Sequence, residues 1–559
     1  MKRSTLSLCF AVSCCIAALA GPLDPPAGSV APTGKTLTEV EPRIALDAPA
    51  GETIIINGPG SYYLTSNRTG IDAAGVRILS GGVTLDLNGF TLRSTGASNP
   101  FVPQYGVEVV NVASANDPGP VVVRNGNIAG FVNGGLLSLD PQTAVVVEGV
   151  TTQSGSGAGV RVQGPATLRN CAVRGETSTG LFAAGYLIVG EATLESCTSS
   201  EHSGAGFVLL DGVAHRCVAH DVLGNGFEIG SSGDTDRTVR LVDCVANDNV
   251  ANGFRALGRA SFEGCVASRN GAAGFFVTGA CVFTGCAASS NDLQGFAGAD
   301  GCAFDSCVAD SNGTDSLSAD GFAALSNASF VNCVSSGHPG DGFGVSSNAS
   351  FDGCTAEGNT GDGFFGGSGC SYRGCTTRNN GIVGFRTGTD AVIIGCVANG
   401  NGSAGFSIGG DSVAESCTAS LNADDGFSTQ SGVSLTGCAS SSNLRDGFDL
   451  GVFATVTGCA ARRNTLNGFS VDSGLVTGCT TSSNTGIGIL GGPRTTIDGN
   501  TALANGGIGI VGDDRTLIIR NTASGNAEGF GSVGGASPDI APVVTDLEDA
   551  TNPLSNVEY

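Results

Sequence analysis

One residue column constrains this chain more than any other feature. Cysteine recurs from Cys171 through Cys197, Cys217, Cys244 and Cys265 to Cys479, and most steps are 21 residues long. Asn500 and Asn521 continue the column at the same spacing, and Val150 extends it one step back. Ten residues after most of these positions stands Phe, usually preceded by Gly, from Phe207 to Phe469, with Val160 and Leu181 before and Ile489 and Ile510 after. Five residues after the Cys stands Asn, from Asn249 to Asn526, with His202 and His338 in the same column. Self-similarity at a fixed period of this length is the mark of a stacked repeat.

Within each repeat the pattern alternates. A large apolar residue such as Phe262 or Phe330 lies three before the Cys, and a small one such as Ala260 or Ala328 lies two before that. Period two means strand, because successive side chains in a strand point to opposite faces. Runs of three or four such residues, three per repeat and with no helical stretch between them, predict a three-sided coil. One coil cannot bury its inner face, but a stack can, each strand pairing in parallel with its equivalents above and below. The expected fold is all-β, a right-handed parallel β-helix solenoid of ~21-residue coils. The Phe column becomes an interior aromatic stack, the Asn column a turn whose side-chain amides bond to the next coil, and Gly before Phe a turn residue able to take positive φ.

The expected organisation is a signal peptide over 1–20, an N-terminal linker and cap over 21–50, the β-helix over 51–535 and a C-terminal cap or tail over 536–559. Lys2 and Arg3 precede an apolar stretch from Leu6 to Leu19, and Ala18-Leu19-Ala20 fits a small-x-small cleavage pattern. Secretion follows, with a lipoprotein signal at Cys14 as the alternative. The apolar run is too short for a comfortable membrane span, and no later stretch offers one. The formal net charge is −24, and lysine occurs only at Lys2 and Lys35. That balance opposes nucleic acid and anionic lipid, which reward clustered Lys and Arg, and it leaves divalent cations as partners.

So many cysteines in one column could mean metal or redox chemistry. Asn and Val exchange with Cys there, which a ligand set would not tolerate, and the repeats contain no Cys-x-x-Cys. The expectation is mostly free buried thiols serving as small side chains, with Cys281 and Cys302, one coil apart, as the best pair for a disulfide.

The segment Gly82-Val83-Thr84-Leu85-Asp86-Leu87-Asn88-Gly89-Phe90-Thr91-Leu92, with Gly60-Ser61-Tyr62-Tyr63-Leu64 and the repeat itself, resembles the secreted bacterial right-handed parallel β-helix repeat proteins, distant relatives of pectate lyases. The resemblance covers roughly residues 36–559. It implies the fold, and it implies either a polysaccharide lyase, hydrolase or epimerase, or a surface or adhesive protein. Of the ordered motifs of a polygalacturonase-like enzyme only Asp-Asp is present, at Asp424-Asp425 and Asp513-Asp514.

No catalytic residue and no cofactor is assigned from the sequence. Calcium is the one ion with a candidate site: Asp320, Asp341 and Asp362 stand just before Gly-Phe in successive coils, followed later by Asp425 and Asp446. Like charges ~4.8 Å apart repel, and a bound Ca²⁺ would relieve them. The competing reading is that each Asp caps a turn, as Asn225, Asn252 and Asn467 do in the same column. Asp234, Asp236 and Arg237 are an alternative site. His202, His215, His220 and His338 are the only histidines, and structural roles are expected for those in the Asn column.

Insertions near 182–190 and 228–238 read as two walls of a shallow groove in one segment of the coil, between Phe and Cys. A third insertion lies near 313–319, and looser coils lie at 94–120. The expected function is a secreted or cell-surface β-helix with a non-catalytic structural or glycan-binding role and an extracellular polysaccharide as partner. The alternative is a polysaccharide-active enzyme with its site in the lateral groove.

Overall fold

A computed structural model describes residues 43–95, 104–110, 119–154, 157–175, 184–230, 238–316, 318–545 and 551–559. The expected signal peptide, most of the linker, and Asp234, Asp236 and Arg237 lie outside the described residues. Ile44–Tyr559 form one compact unit. Among the described residues the regular elements are all strands, 64 of them, pairing in parallel to give about 22 turns of a β-solenoid. No helix is long and apolar enough to cross a membrane.

A typical coil consists of Phe254–Ala256, Ala260–Glu263 and Val266–Ser268. The next coil repeats it, with Phe254 opposite Phe275, Phe262 opposite Phe283 and Val266 opposite Ala287. The alternation seen in the sequence decides which side chains point inward. Phe254, Ala256, Phe262, Cys265 and Ala267 are all buried in the lumen. Rings in the main stack, from Tyr186 and Phe207 to Phe469, lie 4.6–5.0 Å apart and nearly parallel. A second stack from Phe262 to Tyr372 meets the first edge-to-face at 5.2–5.8 Å. Both geometries suit the ring quadrupole and add about 0.5–1.5 kcal/mol per pair beyond burial.

The Asn column forms a ladder. Oδ1 of Asn270 accepts the backbone N–H of Asn249 at 3.2 Å, and Oδ1 of Asn291 accepts that of Asn270 at 3.0 Å. Nδ2 of Asn270 donates back to the Ala246 carbonyl at 3.0 Å. Each side chain thereby satisfies buried backbone groups that the turn leaves out of the sheets, which explains why the amide recurs.

The Cys column works on the same plan. Sγ of Cys459 accepts the N–H of Cys438 at 3.3 Å, and Oδ1 of Asn500 accepts that of Cys479 at 2.8 Å. Thiol and amide are therefore interchangeable acceptors at this turn. The described cysteines, 18 in all, are free and buried, Cys281 and Cys302 included. Burial pushes the Cys281 thiol up to about 12 and raises that of Cys302.

Two expectations are corrected. The Gly before each Phe is not at positive φ. A Cβ on Gly274 would lie 2.7 Å from the Gly295 carbonyl oxygen and 2.9 Å from Asn291 Nδ2, so close approach of the next coil is what requires glycine. Left-handed backbone falls instead on either side of the third strand, as at Gly264 (φ 60) and Arg269 (φ 52). Second, Tyr186 and not Leu181 occupies the aromatic column, since Tyr186 pairs with Phe207 and stacks on it at 4.7 Å. The extra residues of that coil therefore precede Tyr186 in the chain, between Cys171 and Tyr186, as those of a later coil stand between Cys307 and Phe322. The extra residues near 228–238 stand instead between Phe227 and Cys244, so the two expected insertions do not fall in the same segment of the coil.

At the C-terminus Asp539–Ile540 pairs with Leu517–Ile519, and Asn556–Glu558 pairs with Thr522–Ser524. Asn556 takes the N–H of Asn521 at 3.0 Å, extending the column that runs through Asn500. At the other end Ile44–Leu46 pairs with Tyr62–Leu64. Buried Arg68 holds the loop between by bonds to the carbonyls of Ala48, Pro49 and Glu52.

Removing one ring from the middle of the main stack, Phe343→Ala, is expected to cost about 3–5 kcal/mol, read as a lower urea midpoint by circular dichroism. An unchanged midpoint would mean that the stack contributes little. The 18 thiols should be inert to a thiol reagent in the native protein and react together on denaturation. Rapid labelling of the native chain would contradict their burial.

Candidate functional site

The structure brings Asp320, Asp341 and Asp362 into one stack and occupies their carboxylates with backbone. Oδ1 of Asp320 accepts the N–H of Asp341 at 2.8 Å, Oδ1 of Asp341 that of Asp362 at 2.7 Å, and Oδ1 of Asp362 that of Val383 at 2.8 Å. Arg386 closes the stack through Nε to Asp362 Oδ2 at 2.6 Å. Asp425, Asp446 and Asn467 repeat the pattern, each accepting the amide one coil on. Asn225 and Asn252 do the same. Among the described residues no group of three or more His, Cys, Asp or Glu is arranged to hold a metal ion. Burial pushes Asp320 and Asp425 up to about 6 and raises Asp341 and Asp446.

The two histidines of the Asn column differ. Nδ1 of His338 accepts the N–H of Asn312 at 3.1 Å, and its Nε2 faces the Ala309 carbonyl at 3.2 Å. The His338 N–H goes to Asn359 Oδ1, so the ladder passes through it unbroken. His202 is as deeply placed, at 5% exposure. Its Nε2 lies 2.7 Å from Ser199 Oγ, which donates to the Gly206 carbonyl at 2.9 Å. Its Nδ1 is buried without a well-formed hydrogen bond, with the Gly204 backbone beside the ring. Burial pushes the ring down to about 4, so it is uncharged at neutral pH. An unmet buried polar atom of this kind costs about 1–3 kcal/mol.

His202 lies in the wall of an open groove of about 730 Å³, lined also by Gln153, Arg174, Glu201, Asp221 and Leu223. These residues come from four successive coils at the end of the third strand, where Gln153 is opposite Arg174 and Arg174 opposite Ser200. The groove therefore runs along the solenoid axis for ~14 Å, three ladder spacings. Arg174 donates from Nε and one terminal nitrogen to the two Glu201 oxygens, both at 2.7 Å. Asp221 bonds to Nδ1 of His220 at 2.8 Å. The Arg174–Glu201 pair is exposed, so it holds geometry more than it adds stability.

The sequence reading missed this groove, although the signal was present. The Asn column starts only at Asn249, and the three coils before it carry Glu176, His202 and Val222 at that position. Val222 is the first residue whose N–H finds the ladder, through Asn249 Oδ1 at 3.3 Å.

The fold and its repeat define the class: the chain is a right-handed parallel β-helix. Residues 105–263 and 427–538 match the family model described as right handed beta helix region. No curated protein matches the sequence. Among solved structures, the A-module of mannuronan C-5 epimerase AlgE4 from Azotobacter vinelandii is similar at 12% identity and a TM-score of 0.31, covering 58% of this chain and 87% of that one. Pectate lyase Pel9A is similar at 15% identity and 0.20, covering 56% and 68%. The catalytic domain of a GH87 α-1,3-glucanase is similar at 11% identity and 0.18, covering 96% and 70%.

Because Asp320 titrates near 6 when folded and near 3.8 as a free side chain, the folded state holds the extra proton between those values. Stability contributed by that proton is present below about pH 4 and is lost as pH rises through about 6. Asp320→Asn keeps the acceptor for Asp341 and removes the charge. It should raise stability at pH 7 by on the order of 1 kcal/mol and flatten the profile from pH 4 to 6 in thermal melts. Lower stability at pH 7 would show that the charge is compensated.

Proposed function

We propose that this β-helix is a non-catalytic protein that works outside the cell and binds an extracellular polysaccharide along the groove between Gln153 and Leu223. The observation that carries this reading is the row of polar side chains, Gln153, Arg174, Glu201 and Asp221, set by successive coils in an open groove. A ladder with one side chain per coil presents repeating contacts to a repeating polymer. Exposed Leu223 adds an apolar surface beside these polar groups, which fix a ligand's orientation.

The groove's carboxylates support binding over turnover. Glu201 is held on both oxygens by Arg174, and Asp221 is held by His220. Neither is a proton donor set opposite a second carboxylate, the arrangement that glycoside hydrolysis uses. The basic start at Lys2-Arg3 and the apolar stretch after it support secretion.

The test is retention of the full chain in native gels containing neutral or acidic polysaccharides, with and without Ca²⁺. It runs beside assays for unsaturated products and new reducing ends. Retention by at least one polymer without product is expected. Calcium-dependent cleavage would replace this reading with an enzyme, and direct attention to Asp320, Asp341 and Asp362. No retention by any polymer would remove the glycan-binding role.

A further inference from the structure

The outer face of the first-strand sheet carries one outward side chain per coil, the middle residue of strands such as Phe275–Val277 and Phe364–Gly366. Further along the solenoid that row is polar, as at Ser407, Ser428 and Ser470. Phe276 and Phe365 break it. They are 37% and 44% exposed, and among the described residues the other exposed aromatic side chains are Phe453 and Tyr559 alone. An outward ring gains nothing from the lumen stacks, so packing gives no reason for it.

Register sets the two rings in one line. Phe276 is opposite Ala297, Ala297 opposite Ala323, Ala323 opposite Gly344 and Gly344 opposite Phe365. Four ladder spacings, ~19 Å, separate the rings, and the row between them holds only Ala and Gly. The result is an open trough with a ring at each end and a floor without bulk. Arg255 and Arg386 stand just beyond the rings. Each is engaged, with Glu228 at 3.1 Å and with Asp362 at 2.6 Å. One polar atom remains free over the floor, Oδ2 of Asp320. A Cβ on Gly344 would lie 2.6 Å from it. Oδ1 of the same carboxyl takes the Asp341 amide, and among the described residues no donor meets Oδ2.

The dimensions choose the occupant. The floor is one strand wide, ~10 Å for three residues, and presents on the order of 200 Å², with exposed Leu325 at one rim. A stable protein partner covers about 800 Å² a side. A single saccharide chain is narrow enough to lie along the axis here. The C–H faces of its rings suit the faces of Phe276 and Phe365, and its hydroxyls supply the donor that Asp320 lacks. A uronate would set its charge against Asp320 with both guanidiniums already paired, which Coulomb repulsion opposes.

We infer that the first-strand face carries a second saccharide site, apart from the groove between Gln153 and Leu223, where an uncharged chain lies between Phe276 and Phe365 and gives a hydroxyl to Asp320. The inference rests on the glycan-binding reading above for the class of ligand and not for the place.

Calorimetry on the full chain would compare neutral gluco- and manno-oligosaccharides with oligouronates of equal length. The neutral chains should bind about tenfold or more tightly. Phe276→Ala and Phe365→Ala should each lose about tenfold in affinity and keep the thermal midpoint, since both rings face solvent. Ala323→Leu fills the floor and should lose as much while leaving both rings in place. Losses in these three variants and also in Arg174→Ala support two sites. Losses in the three with Arg174→Ala binding normally would keep the inference and remove the groove reading. Loss confined to Arg174→Ala, or equal or tighter uronate binding, would overturn the inference and leave the groove. A dimer in sedimentation that Phe365→Ala abolishes would give this face to a second copy and overturn it too. Binding of no saccharide would overturn both readings.

Discussion

The spacing of the parallel ladder, ~4.8 Å from coil to coil, governs everything else in this molecule. Whatever side chain a position carries must tolerate a copy of itself that distance above and below. Aromatic rings do so by lying face to face, as from Tyr186 to Phe469. Asparagines do so by passing a hydrogen bond along, as from Asn249 to Asn270 to Asn291. Thiols at the Cys turn do so as weak acceptors of the same amide. Carboxylates stack least easily, and at Asp320, Asp341 and Asp362 each is spent on a backbone N–H, with Arg386 supplying a countercharge at the end of the stack. Burial leaves its mark there as a carboxyl group held near 6.

Much of this was legible in the sequence because stacking converts three-dimensional columns into one-dimensional periods. The Phe, Asn and Cys columns were read at the right residues wherever the period was 21. Reading failed where the period broke. Between Cys171 and Cys197 the aromatic column could be placed by counting on from Cys, which gives Leu181, or by counting back from the next Cys, which gives Tyr186. Only the stacked ring settles it. The glycine before Phe shows a different limit. Its recurrence was visible, but φ and crowding both select glycine, and the crowding comes from the Asn and carbonyl of the following coil.

The groove was illegible for a related reason. Nothing in Gln153, Arg174, Glu201 or Asp221 repeats, so a method built on columns passes over them. What the sequence did show was a boundary: the three coils before Asn249, where the Asn column begins, hold Glu176, His202 and Val222 at that position. In a scaffold whose regular positions are consumed by self-contact, unmet hydrogen-bonding capacity is found beyond the end of a column, as at His202. His338 is the control within the same chain: placed amid intact ladder, the same side chain has every bond met.

The Asn ladder also has a direction. Each Oδ1 accepts the amide of the coil before it, so the turn of any coil is completed by the coil that follows in the sequence. A chain emerging from its N-terminus would always carry one unfinished turn at its growing end, and each new coil would close the previous one while opening its own. The Cys column runs the same way through Asn500 and Asn521, and there the terminator is Asn556. It accepts from Asn521, while its own N–H goes to the Pro542 carbonyl, a backbone acceptor that asks for no further coil.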